Sequence, residues 1–235
     1  MAIKDVMDLD RAMAELAKAR PIFHSEADFQ FALAAVLRHL WPEFEVRLEV
    51  PQSRGITLDI LVIDPASDDR FAIELKYKSA NWSGAVASET FNLKNHGADD
   101  LGGYDIIKDI GRIESLIASG LVMGGAVIVL TNEQLYWKPR PARTRLTNAH
   151  EFRVHDGLTL NGSRSWGPNT GGTNKKRTES INLDGSYPCE WKSYSDVGSI
   201  HGIFRQLTFY VGQSPPSNSE TVVDRKEGTD DSVAL

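Results

Sequence analysis

The sequence predicts an α/β fold, and three observations carry that prediction. Three short segments, "FEVRLEV", "ITLDILVID" and "FAIELKYK", alternate in side-chain character and are joined by turn-rich links, the pattern of an antiparallel meander. "YDIIKDIGRIESLIASG" then spaces Ile106, Ile107, Ile110, Ile113, Leu116 and Ile117 as the core stripe of a helix. "GAVIVLTN" follows as an unbroken apolar run, suited to a strand covered on both faces. A helix and a buried strand after the meander favour helices packed on a sheet over an all-β barrel.

Each element has its own local reason. The opening "MAIKDVMDLDRAMAELAKAR" is a charged helical pattern without the apolar heart of a secretion signal. Ser25, with Asp28 three positions on, offers a helix N-cap ahead of apolar residues at Phe29, Leu33, Val36, Leu37 and Leu40. Glu26 lies seven residues before Leu33 and so falls on the buried stripe, although a first-turn acid also favours the helix dipole. Pro42 stops that helix, and Phe44, Val46, Leu48 and Val50 then share a strand face. In the next strand Leu58, Ile60 and Val62 alternate with Asp59, Leu61 and Ile63; in the third, Phe71, Ile73, Leu75 and Tyr77 face one way and Glu74, Lys76 and Lys78 the other. Asp105 is expected to cap the long helix and Gly120 to end it. "NHGADD" before it reads as a plain loop, residues 142–185 as a long loop or short hairpin, and "IFRQLTFYVG" as the closing strand.

Composition bounds the class. The 235 residues, 41% hydrophobic and 25% charged, suit one domain over 1–213, followed by an acidic, disordered tail over 214–235. A single cysteine, Cys189, makes no internal disulfide or zinc ribbon and is expected as a buried thiol. No apolar run is long enough to cross a bilayer, so the expectation is a cytoplasmic protein without a membrane partner. The net charge of −6 argues mildly against a polyanionic partner, but from Lys138 to Arg177 nine basic residues stand against Glu151 and Asp156. Such a local field gathers phosphates whatever the total charge is. Arg140, Arg143, Arg145, Arg164, Lys175, Lys176 and Arg177 are the candidate nucleic-acid contacts there, with Trp166 as an exposed stacking platform. Core packing explains the neighbouring Trp137 and Phe152 equally well.

The chemistry centres on the meander. Asp59, Glu74 and Glu26 would bring three carboxylates to one ammonium, Lys76, and like charges held that close stay ionised only with a cation among them. An all-oxygen set favours Mg²⁺ or Mn²⁺ over zinc. Such an ion suits phosphate chemistry, with Lys76 orienting or helping to deprotonate a water. No Ser-His-Asp spacing and no Gly-rich phosphate loop is present, which disfavours serine hydrolases and nucleotide-driven motors or kinases.

These residues carry a resemblance. Leu58–Asp59 followed by Glu74–Leu75–Lys76, with Glu26 on an upstream helix, resembles the PD-(D/E)XK nuclease superfamily. The resemblance implies a restriction-endonuclease-like core, a central mixed sheet flanked by helices, here with a basic loop or hairpin insertion near the C-terminus. It implies metal-dependent hydrolysis of phosphodiester bonds in nucleic acid, foremost DNA. Asp59 and Glu74 would be metal ligands, the Leu75 carbonyl a further ligand, Lys76 the catalytic lysine and Glu26 the additional acid; Leu58 stands where the family motif has proline. Lys108, Asp109 or Arg112, on the helix after the lysine strand, would reach the site. Cutting both strands of a duplex would favour a homodimer. The alternative is a non-catalytic nucleic-acid-binding or partner-docking protein on the same scaffold.

Overall fold

The computed structural model describes residues 3–52, 55, 57–141, 146–168 and 176–212. Helices α1 (Ile3–Val6), α2 (Leu9–Ala19) and α3 (Glu26–Leu40) precede the meander β1 (Glu45–Pro51), β2 (Thr57–Ile63) and β3 (Arg70–Lys78). A hairpin β4 (Trp82–Val86)–β5 (Glu89–Leu93) leads to α4 (Asp99–Ala118), β6 (Gly124–Thr131) and the short α5 (Gln134–Trp137). A 3-10 turn (His150–Phe152), the hairpin β7 (Thr159–Arg164)–β8 (Ile181–Pro188), and strands β9 (Lys192–Asp196) and β10 (Ile203–Val211) complete it. The main sheet has the order β1-β2-β3-β6-β10-β9 and is mixed: β3 and β6 run parallel and every other pair antiparallel. The parallel pair follows from α4, which carries the chain back across the sheet between them.

Strand alternation sorts the core into two layers. Phe71, Ile73, Leu75 and Tyr77 pack with Ile60, Val62, Ile128 and Leu130 against Phe29, Leu33 and Leu37 of α3 and Met13 and Leu16 of α2. Ala72, Val127, Val129, Leu207 and Phe209 meet Ile106, Ile107, Ile110 and Ile113 of α4 and, from the β7–β8 hairpin, Leu160, Leu183 and Tyr187. All eight residues of β6 are buried, as its unbroken apolar run predicts. At its start Gly125 lies so close to β3 that a Cβ there would come within 2.3 Å of the Ala72 carbonyl oxygen.

Two expectations need correction. Helix α4 begins at Asp99, six residues before Asp105, so Asp99 and Asp100 of "NHGADD" form its first turn and Asp105 is not its cap. Gly102 and Gly103 hid that start, because glycine reads as a helix breaker. Their reason is tertiary: a Cβ on either would meet the Tyr136 hydroxyl at 1.9 Å or the Phe152 carbonyl at 2.0 Å. Alternation also fails where β1 passes into β2. Leu58 and Val50 pack with the α4 layer, not with Ile60, Leu48 and the α3 layer. The stretch 142–185, expected as a long loop or short hairpin, holds the 3-10 turn and most of the β7–β8 hairpin, while 214–235 lies outside the described residues. Among the described residues, no helix is long and apolar enough to cross a membrane.

Candidate active site

The failed alternation makes the site. β2 pairs with β3 only as far as Ile60 and Ile73, and β1 pairs with β2 on either side of Glu49 and Asp59 but not at them. Glu49 adopts a left-handed φ of 51°, which kinks the edge of the sheet. Gln30, buried on α3, holds the kink: its Nε2 donates to the Asp59 carbonyl and to Glu49 Oε1, both at 2.7 Å. With β2 turned away, β3 is left with unpaired backbone N–H groups, and side-chain carboxylates take them. Asp59 Oδ2 accepts from the Leu75 N–H at 2.7 Å, and Glu26 Oε2 from the Tyr77 N–H at 2.7 Å. The two acids therefore line the same edge of β3, two residues apart, or about 6.8 Å.

Glu74 and Lys76 share the other side-chain face, towards α4. Arg112 Nη1 donates to Glu74 Oε1 at 2.9 Å and lies 3.2 Å from Asp109 Oδ1; Lys76 Nζ is 2.5 Å from Asp109 Oδ2 and 3.0 Å from the Leu75 carbonyl. Of the three α4 candidates, Asp109 and Arg112 reach the site and Lys108 is exposed. Glu26, Asp59, Glu74 and Asp109 oppose Lys76 and Arg112, a formal net charge of −2 in a largely buried site. Burial, then Asp109 and Asp59, push the Glu74 carboxyl up to about 8 against the pull of Arg112. Burial raises Asp59 as well, opposed by the Leu75 N–H and Lys76. Burial pulls the Lys76 ammonium down, but Asp109, Glu26 and Asp59 outweigh it and hold Lys76 above its ordinary value. Held charged in this way, Lys76 is set to donate hydrogen bonds and to offset negative charge.

The donors facing one another here, two carboxylates and the Leu75 carbonyl, are all hard oxygens and fit Mg²⁺ or Mn²⁺ by type. Among the described residues no group of three His, Cys, Asp or Glu side chains is spaced to hold a metal. Arg112 and Lys76 occupy Glu74 Oε1 and the Leu75 carbonyl, so an ion binding there would displace those two contacts.

The expected nucleic-acid contacts are less uniform. Arg177 forms a paired contact with Asp105, at 2.7 and 2.9 Å, one helical turn from Asp109. Arg164 is spent on the carbonyls of Asn161, Glu151 and Thr159. Trp166 is no exposed platform: half-buried, it lies 4.6 Å from the Phe152 ring and 5.9 Å from Tyr104, and its indole N–H donates to the Arg177 carbonyl at 2.6 Å. Arg140 and Lys176 are exposed. Arg143, Arg145 and Lys175 lie outside the described residues. Arg153, one of the nine basic residues of this segment but not among the expected contacts, joins Arg140 in lining a cavity of about 290 Å³ and donates to the Leu135 and Lys138 carbonyls. It lies in irregular chain, where no periodicity marks it.

The chain matches no protein-family model, no curated protein and no solved structure.

Proposed function

We propose that this protein is a divalent-metal-dependent nuclease of the PD-(D/E)XK kind, hydrolysing phosphodiester bonds in DNA with Mg²⁺ or Mn²⁺. One observation carries the reading: at the point where β2 splays from β3, four carboxyl groups crowd against two cations so closely that Glu74 keeps its proton up to about 8, and a divalent ion there would take that proton's place. The element order supports it too, with a helix bearing Glu26, a three-strand meander bearing Asp59 and Glu74, a helix, and a strand parallel to the third, as a restriction-endonuclease-like core requires.

In this reading Asp59, Glu74 and the Leu75 carbonyl would hold the ion. Bound there, it polarises a phosphoryl oxygen and lowers the pKa of a water. Lys76, kept charged by Asp109, offsets negative charge building on the phosphate. Arg112, released from Glu74, has the fork geometry to bind a phosphate oxygen. Glu26 holds the β3 edge beside the site through the Tyr77 N–H. We place the protein in the cytoplasm, where its single thiol stays reduced, and expect two copies to act together on a duplex.

The test is a thermal melt with EDTA, Mg²⁺ or Mn²⁺ beside a cleavage assay on single- and double-stranded DNA and RNA. The ions should raise the melting temperature, and Asp59→Ala should abolish both the rise and the cleavage. Cleavage unchanged in Asp59→Ala would overturn the assignment. A specific observation also favours a second reading. Lys76, Asp109, Arg112 and Glu74 form a chain of ion pairs needing no metal, as in a non-catalytic binding protein whose buried charges serve the fold. No metal-dependent stabilisation and no cleavage would decide for it.

A further inference from the structure

β3 does not end at Lys76. Lys78 follows on the same face, about 6.8 Å further along, comparable to the separation of neighbouring phosphates in a nucleic-acid strand. Its side chain is half-buried and makes no hydrogen bond or ion pair among the described residues. Partly removing an ammonium from water without a partner is unfavourable, so the position suits an anion.

His96, before α4, stands beside it. Its backbone N–H donates to the Ser79 carbonyl at 2.9 Å and its Nδ1 accepts from the Ser79 N–H at 3.0 Å. A backbone N–H only donates, so Nδ1 carries no proton and the neutral ring keeps its hydrogen on Nε2. The Ser79 hydroxyl lies 3.1 Å from Nδ1 and donates to the Lys94 carbonyl at 2.8 Å. Burial and then Lys78 hold the imidazole below its ordinary value. The ring therefore offers an Nε2–H donor from a fixed orientation. Lys78, Ser79 and His96 line a cavity of about 180 Å³ with Tyr136, Asp99 and Glu133. The two acids are engaged: Glu133 Oε1 accepts from the Leu135 N–H, and Asp99 faces Arg153 at 3.5 Å. Asp99, Leu135 and Tyr136 also line the cavity of Arg140 and Arg153, so the two adjoin.

We infer that Lys78 and His96 form a subsite for the backbone phosphate next to the one held at Glu74 and Lys76, and that the strand continues from there towards Arg140 and Arg153. The inference rests on the proposed nuclease reading and names a contact that reading does not contain. Arg177, committed to Asp105, is off this path.

The probe is a fluorescently labelled DNA oligonucleotide in EDTA, where no metal-dependent cleavage intervenes, titrated across a salt series. Lys78→Ala should weaken binding about tenfold and reduce the slope of log affinity against log salt by about 0.7–0.9, the value for one lost phosphate contact. His96→Ala should also weaken binding, and His96→Gln, which restores an N–H donor near the Nε2 position, should recover most of the loss. Lys176→Ala should leave the Lys78→Ala deficit unmatched. In the same variants the Mg²⁺-induced rise in melting temperature reports the acid site separately. If wild type cleaves and Mg²⁺ stabilises it, yet Lys78→Ala binds with unchanged affinity and slope, this inference falls and the nuclease reading stands. If Mg²⁺ has no effect but the Lys78 and His96 variants lose binding as stated, the nuclease reading falls and the phosphate subsite stands. If wild type binds no oligonucleotide, the inference falls.

Discussion

Raising the pH on the metal-free protein should weaken it, and Glu74 supplies the reason. In the unfolded chain this carboxyl titrates at its ordinary value of 4.5; in the fold, burial with Asp109 and Asp59 pushes it up to about 8. Between those two values the folded state holds a proton that the unfolded state has released. Stability from this group is therefore fully present below about 4.5, declines as pH rises, and is lost above about 8. The slope approaches 1.4 kcal/mol per pH unit at most, so the whole window amounts to a few kcal/mol. Asp59, shifted the same way, adds to the fall. For a chain of this size each kcal/mol moves the melting temperature by about 2–4 °C. The assay is a melting curve at pH 5, 6.5 and 8 in EDTA, for wild type and Glu74→Gln, repeated with Mg²⁺. Wild type should lose stability across the series, Glu74→Gln should lose much less, and Mg²⁺ should restore wild type chiefly at the high-pH end. A Glu74→Gln profile with the same slope as wild type would refute the reasoning.

Three more outcomes follow from the same geometry. Gln30→Leu removes the donor that holds both the Asp59 carbonyl and Glu49, leaving two acceptors without it; a loss of about 1–3 kcal/mol by chemical denaturation is expected, with weaker metal stabilisation than in wild type. Asp109→Ala takes from the buried Lys76 its ion-pair partner and leaves Arg112 with Glu74 alone, and a loss of about 3–5 kcal/mol is expected; adding Lys76→Met should recover part of it, measured as a double-mutant cycle. Gly125→Ala forces a methyl against the Ala72 carbonyl between two central strands, and calorimetry should show a loss of about 1–3 kcal/mol.

Much of the frame could be read locally. The faces of β3 came out as its alternation implies, because successive side chains on a strand point opposite ways wherever the strand lies. The buried run of β6 and the Ile106-to-Leu116 stripe of α4 are equally local signals. The start of α4 was illegible because Gly102 and Gly103 answer to Tyr136 and Phe152, neighbours far along the chain. The kink at Glu49 and Asp59 was illegible too, since a non-glycine residue at positive φ leaves no mark in composition. Trp166 looked like a platform in a polar, glycine-rich stretch, and only its contacts with Phe152, Tyr104 and the Arg177 carbonyl show that it is packed.

By itself, then, the sequence determined which residues are chemically able to form a site: Glu26, Glu74 and Lys76 on elements whose periodicities turn them inward, and Asp59 beside a break in alternation that the sequence did not mark. Tertiary structure decided their partners. Arg112 meets Glu74 across 38 positions and Glu26 meets the Tyr77 N–H across 51, and no local rule reaches so far. Side-chain direction is set by the backbone torsions of one element, whereas the neighbour that neutralises a charge is set by how separate elements pack.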